Sequence, residues 1–384
     1  MLSTSIKTIF RTIVDLSNII FRKVLKKIYR RASEFVPFFY MPSLLKGYEK
    51  TLCENGQPID AVFTFVDMSD KAWSERWSVV TGEKAPEHRY SNNGELEFSI
   101  ELLRKYCPWI NRIYIVTPTP DKVDISGPDI EIVLDDDLIG PECAKPTFKS
   151  CSIESYLHKI PNLSEYFFSL CDDYFVGDYV DKSDFIDEDG VVTVFLQKFN
   201  NSKIFRNEKR LRTHPWEHDI FNASELMDRK FGQKFHLTYT HQMTIMSKSA
   251  CELTWQFFKE ELELSVRNPL RNPPENTIHF ILLSQFVAIK TGKLKLSTKK
   301  QSTMLLGNAS QNIFSKLDQI VRCRPRYFCL NTLDLYNPRY FELFKHKMRN
   351  RPEEGSRIFY VCSFGGCGST MLSKFLKRYG LVFH

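Results

Sequence analysis

From residue 58 onward, short apolar runs alternate with segments of helical period, and that alternation narrows the possible folds more than any other feature of the chain. The runs are Ile59–Val66, Arg112–Val116, Ile130–Leu134 and Tyr166–Leu170. Between the first two, Gly94–Tyr106 sets Leu96, Ile100 and Leu103 on one face of a helix that Pro108 stops. Ser152–Lys159 reads as a further helix closed by Pro161. Such alternation predicts an α/β fold, a mixed or parallel sheet with helices on both faces. Ligands of such sheets bind outside the carboxyl ends of the strands. Past Asp184, Lys198–Arg212 reads as a polar, basic loop, Lys248–Leu264 as a helix and Arg267–Pro274, with three prolines, as irregular. Ile278–Thr291 is predicted helical, ending at Gly292. No internal repeat is visible.

With 384 residues, 42% of them hydrophobic and 14% aromatic, the chain can bury a substantial core in one large or two medium domains. Residues 1–31 contain eight Lys or Arg and one Asp, so they carry the whole formal net charge of +7 and the rest sums to zero. The body therefore lacks the general basicity of a nucleic-acid binder. Within residues 1–50, Ile6, Ile9, Phe10, Ile13, Leu16 and Ile20 recur at helical spacing, while Arg22, Lys23, Lys26, Lys27, Arg30 and Arg31 cluster behind them. The apolar run is too interrupted to span a bilayer. It reads as an amphipathic helix in peripheral contact with an anionic membrane, or as a surface or partner-binding helix. The ten cysteines show no C-x-x-C pair, which points to reduced thiols in a cytoplasmic protein.

Two strands end in acid. Ile59–Val66 runs into Asp67, and Tyr166–Leu170 runs through Cys171 into Asp172 and Asp173. Adjacent carboxylates after an apolar strand suit magnesium or manganese with phosphate and water completing the shell. Alone they read equally as a solvated acidic turn, and Asp135-Asp136-Asp137 is expected to be only a loop. His241 fits a structural imidazole or a base, and Arg271 a surface charge or a phosphate fork.

Taken together, the order of these elements resembles the Stealth family of capsular-polysaccharide hexose-1-phosphate transferases, which includes the N-acetylglucosamine-1-phosphotransferase that marks lysosomal enzymes. Four blocks carry the resemblance. The first is Ile59–Asp67. The second opens with Arg89-Tyr90-Ser91-Asn92-Asn93-Gly94-Glu95-Leu96, then passes through Cys107-Pro108-Trp109, Pro146-Thr147-Phe148, Glu154 and His158 to Asp172-Asp173 and Gly177. The third holds His241 and Arg271, and the fourth is Arg326–Asn331. The chain departs from the family pattern at Ser91-Asn92-Asn93, at Cys171 and at Thr332, where a carboxylate is missing unless Asp334 replaces it.

The resemblance implies a Rossmann- or GT-A-like nucleotide-sugar-transferase core over 58–340. It implies transfer of a hexose-1-phosphate from a UDP-sugar donor to an oligosaccharide acceptor, with release of UMP. Asp172 and Asp173 would hold Mg2+ or Mn2+. His241, Arg271 and Glu154 would be catalytic, and Asp67, Arg89, Asn93, Glu95 and Asn331 would bind substrate. Other capsule-synthesis proteins are expected partners, and the inner face of the plasma membrane the expected location. The alternatives are a conventional glycosyltransferase releasing UDP and an inactive scaffold subunit. Residues 356–384 stand apart. Ile358–Val361, the glycine-rich Ser363–Thr370 and the helical Met371–Tyr379 resemble the opening phosphosulfate loop of sulfotransferases, and are expected to be a truncated fragment.

Overall fold

A computed structural model describes residues 45–48, 51–54, 56–85, 92–198, 215–233, 235–271, 277–306, 313–331 and 338–351. The basic N-terminal segment, Arg89, most of the loop expected at 198–212, Thr332, Asp334 and the glycine-rich 356–384 fragment lie outside them.

The four predicted runs form strands, Ile59–Thr64 (β1), Ile113–Thr117 (β2), Ile130–Leu134 (β3) and Tyr166–Cys171 (β4), and these pair in parallel in the order β3-β2-β1-β4. Tyr174–Val176 (β5) follows β4 after two residues, and the short strands Thr193–Phe195 (β6), Gln197–Lys198 (β7) and Leu237–Thr238 (β8) lead to Thr244–Ser247 (β9). β9 adds to β4 antiparallel, with Ser169 opposite Thr244, so the central sheet is mixed. β1 lies between two partners and is apolar nearly throughout, as a strand covered on both faces must be. Its one charge, Asp60, is fully buried. Its carboxylate accepts from Asn111 Nδ2 at 2.8 Å, Arg112 N at 3.1 Å and Ser164 N at 2.8 Å, which meets the cost of desolvation with donors.

Lys295–Ser297 (β10) pairs with β6, and Thr303–Leu306 (β11) and Tyr327–Leu330 (β12) join β5 in a second sheet ordered β11-β12-β5. Asp172 and Asp173 are thus the two residues by which the chain leaves the central sheet for the second one.

The helix Phe280–Thr291 is buried at every position. Two of its polar side chains find partners inside the core: Gln285 Nε2 donates to Thr244 Oγ1 at 2.6 Å, and Lys290 Nζ donates to Gln233 Oε1 at 2.6 Å. It stops at Gly292, whose φ of 76° is the left-handed cap that glycine adopts without strain. A smaller cluster stacks Trp73 on Trp77, with Phe148 edge-on to both at 5.4 and 4.9 Å.

Three expectations need correction. Ser152–Lys159 is not one helix: Ser150–Glu154 is helical and Leu157–Lys159 forms a 3-10 turn. Ser155 Oγ donates to Ser152 O at 2.7 Å, a local bond that competes with helix propagation. Lys248–Leu264 divides into Lys248–Phe257 and Lys259–Val266, because Phe258 leaves helical geometry (φ −129°) to bury its ring. Asp135-Asp136-Asp137 opens the short helix Asp135–Leu138 rather than a loop. Asp135 is itself buried, and desolvation with Asp136 beside it raises its pKa to about 6. The cysteines among the described residues are free. No helix among those residues is long and apolar enough to cross a membrane.

Candidate active site

The site assembles where β4 ends. Asp172 Oδ1 accepts from Asp173 N at 3.2 Å. Asp173 is held against β12: its carbonyl accepts from Leu330 N at 3.1 Å and its Oδ2 from the Cys329 thiol at 3.3 Å. Glu95 begins the helix Glu95–Tyr106, which Ser99 fastens to the carbonyl of Tyr174 in β5. The Glu95 carboxylate accepts from the backbone N of Asn93 and from Asn93 Nδ2, the latter at 3.1 Å.

These three carboxylates strain against one another. Burial first, then Asp173 and Glu95, hold Asp172 well above the usual carboxylate range; burial raises Asp173 to about 6, and burial with Asp173 raises Glu95. Among the described residues no Lys or Arg forms an ion pair with any of them. Hard oxygen donors short of positive charge fit a divalent cation. No group of three or more His, Cys, Asp or Glu converges as a ligand shell among the described residues, so a cation held here would need phosphate or water to complete its shell.

A second polar cluster lies across the aromatic residues that follow. Glu154 ends its short helix with Oε2 buried and without a hydrogen-bond partner. Burial raises its pKa to about 7, against the opposing pull of Arg271. Arg271 Nη2 donates to Ser150 Oγ at 3.1 Å, and its charge also reaches Asp219. Asp219, fully buried in the helix Pro215–Phe231, accepts from Thr277 Oγ1 and, at 3.8 Å, from the Cys151 thiol. Its carbonyl accepts from His279 N at 3.3 Å.

Tyr239 links the two clusters. Its hydroxyl lies 3.0 Å from His279 Nε2; burial raises its pKa, and Tyr174, the residue after Asp173, opposes that rise. His279 is pushed down to about 3 by burial, then by Arg271 and His241, so it is a neutral imidazole. His241 is half-buried, its ring 5.3 Å from Trp216 and 5.9 Å from Tyr174. Burial lowers its pKa, leaving it neutral and able to accept a proton. Topology brings it here: β9 runs antiparallel to β4, so the residues entering β9 lie where β4 ends.

Of the residues predicted from sequence, Asn93, Glu95, Asp172 and Asp173 meet in one cluster and Glu154 and Arg271 in the other, with His241 beside the bridge. Asp67 follows β1 at the same sheet edge, with its N donating to Thr119 Oγ1 at 3.2 Å and its Oδ1 accepting from Ser69 N at 2.8 Å. Asn331 is exposed directly after β12. Sequence reading missed Asp219, His279, Tyr239, Trp216 and Tyr174. Tyr174 adjoins the Asp pair and Tyr239 lies two residues before His241, so proximity in sequence was an available signal for both. Asp219 offered none.

Residues 89–194 match the family model of Stealth protein CR2, conserved region 2. The matched stretch contains Glu95, Glu154, Asp172 and Asp173, while Asp67, His241, Arg271 and Asn331 fall outside it. The chain is 32% identical over 238 residues to the capsular polysaccharide phosphotransferase fcs1 of Haemophilus influenzae, covering 59% of this chain and 64% of that protein. It is 30% identical over 227 residues to the capsular polysaccharide phosphotransferase LcbA of Neisseria meningitidis, covering 56% and 60%. It thus spans about three fifths of the length of these curated relatives. The crystal structure of galactosyltransferase LgtC with donor and acceptor sugar analogs aligns over 77% of this chain and 98% of that one, at 10% identity and a TM-score of 0.35, too low to bear on the fold.

Proposed function

We propose that the chain transfers a sugar-1-phosphate from a UDP-sugar to a hydroxyl of a sugar acceptor, in the synthesis of a capsular or extracellular polysaccharide. The acceptor oxygen forms a bond to the β-phosphorus, the bridging bond to UMP breaks, and UMP leaves with its electron pair. The acceptor proton passes to His241, whose neutral imidazole suits a base. Arg271, steadied by Ser150 and the adjacent Glu154, meets the non-bridging oxygens as charge redistributes. Glu154 shares the work of orienting the acceptor hydroxyl, since its buried Oε2 has no hydrogen-bond partner among the described residues. Magnesium or manganese on Asp172 and Asp173 would supply neutralising charge for the pyrophosphate. Asp67, Arg89, Asn93, Glu95 and Asn331 are assigned to the nucleotide and donor sugar. The basic N-terminal segment would keep the chain at the cytoplasmic face of a membrane where such polymers are built.

One observation supports this reading: the Tyr174 ring, one residue after the Asp172–Asp173 pair, lies edge-on to His241 at 5.9 Å, and His279, whose pKa is lowered by burial and then by Arg271 and His241, lies 3.0 Å from the Tyr239 hydroxyl. Attack at phosphorus is tested by the nucleotide product. Purified chain incubated with a panel of UDP-sugars and capsule oligosaccharides should release UMP; release of UDP would show attack at the anomeric carbon and defeat the proposal.

A further inference from the structure

The small aromatic cluster is separate from the main core, and the residues packed around it are neighbours of the site. Trp73 and Trp77 are buried on one face of the helix Lys71–Thr81, and their rings stack at 5.9 Å. Against them lie Val66 and Met68, which flank Asp67, Leu270, which precedes Arg271, and Phe148, two residues before Ser150. The helix is itself tied to Asp67. Asp70 caps it, its Oδ1 accepting from Trp73 N at 2.7 Å, and Asp70 N donates to the Asp67 carbonyl at 3.2 Å.

Phe148 joins the two halves of this unit. Its ring stands edge-on to both indoles, and its N donates to Pro269 O at 2.8 Å. The same two stretches of chain meet on either side of that bond. Ala144 N donates to Val266 O at 3.0 Å, the buried Lys149 Nζ donates to Ser265 O, and Arg271 Nη2 donates to Ser150 Oγ at 3.1 Å. Residues 268–271 belong to no helix or strand, so these contacts set where the backbone of Arg271 lies. A long side chain on irregular backbone has much freedom to lose, and a braced backbone removes part of that loss in advance.

We propose that Phe148 is a positioning residue for Arg271: braced by Trp73 and Trp77, it holds the 267–271 turn against 144–150 and fixes the guanidinium relative to Asp67 through one shared cluster. The inference rests on the transfer reading for the phosphate that Arg271 meets. Phe148 touches no reacting atom and acts only through Arg271. A displacement of about 1 Å in such a group costs up to about a hundredfold in rate, so a small separate core is device enough.

The test is a double-mutant cycle in the purified full chain between Phe148→Leu and Arg271→Ala, read as nucleotide released from a UDP-sugar. Phe148→Leu alone should lower kcat about tenfold to a hundredfold and leave KM for the donor within about threefold of native. In the Arg271→Ala background the same change should cost less than about twofold. Losses that multiply, or a rise in KM without a fall in kcat, would overturn the proposal, since Phe148 would then serve the fold or donor binding at large. Trp77→Phe keeps a ring against Phe148 and should act in the same direction more weakly, so the cycle can be closed even if Phe148→Leu does not fold. A second readout needs no turnover. Arg271 opposes the raised pKa of Glu154, so the loss of stability that follows deprotonation of Glu154 should move to higher pH in Phe148→Leu, as it should in Arg271→Ala. A midpoint that moves in Arg271→Ala and stays in Phe148→Leu would also overturn the proposal. A chain that releases no UMP yet shows this shift in both variants loses the transfer reading and keeps the positioning role.

Discussion

The two acidic clusters of the site solve the same electrostatic problem differently. Glu154 and Asp219 are buried with cations of the chain's own beside them. Arg271 acts on both, and Lys149, buried with its Nζ donating to Ser265 O, acts on Asp219. Among the described residues, Glu95, Asp172 and Asp173 receive hydrogen bonds from Asn93, the Asp173 amide and the Cys329 thiol but no ion pair, and they repel one another. A cluster balanced within the chain can be permanent architecture. One left short of positive charge keeps its mutual repulsion, which a bound cation would relieve.

The largest effects should come from the unbalanced cluster. Asp172→Asn, Asp173→Asn, or chelation of divalent cations should each cut UMP release by about three orders of magnitude or more. In metal-free buffer the same amide variants should be about 1 kcal/mol more stable to urea, because they remove repulsion. Full activity after chelation, or amide variants that gain no stability, would erase the contrast between the clusters. Next, Arg271→Ala and His241→Ala should each lower turnover by about two to four orders of magnitude. Near-native rates in both purified variants would remove them from the chemistry.

A third test concerns pH. Glu154 has a folded pKa of about 7 against an ordinary 4.5, so between those values the folded chain holds a proton that the unfolded chain has released. Stability from this group is therefore full below about 4.5 and falls as pH rises through about 7. Across that window the native chain should lose about 2–3 kcal/mol more than Glu154→Gln does, as read by urea unfolding. Parallel curves would mean that Arg271 balances Glu154 completely. The smallest effect is expected at Cys329→Ala, which deletes a neutral donor to Asp173 and should shift divalent-cation affinity only a few-fold, about 1 kcal/mol or less.

The central sheet and the carboxylates at its edge were legible in the order of residues alone. A strand covered on both faces must be apolar throughout, so β1 through β4 stand out as runs, and the acids that end them are local facts of the chain. Local competition was harder to read: Ser155 shortened one expected helix and Phe258 divided another, each through contacts of a single side chain. What only the tertiary structure decided was which residues face each other. The antiparallel return of β9 brings His241 to the end of β4, and a buried contact places Asp219 against Thr277 from 58 residues away. The physical reason is range: hydrophobic period and turn chemistry act over a few neighbours, whereas burial couples any charges the fold brings together, and no local pattern records that coupling.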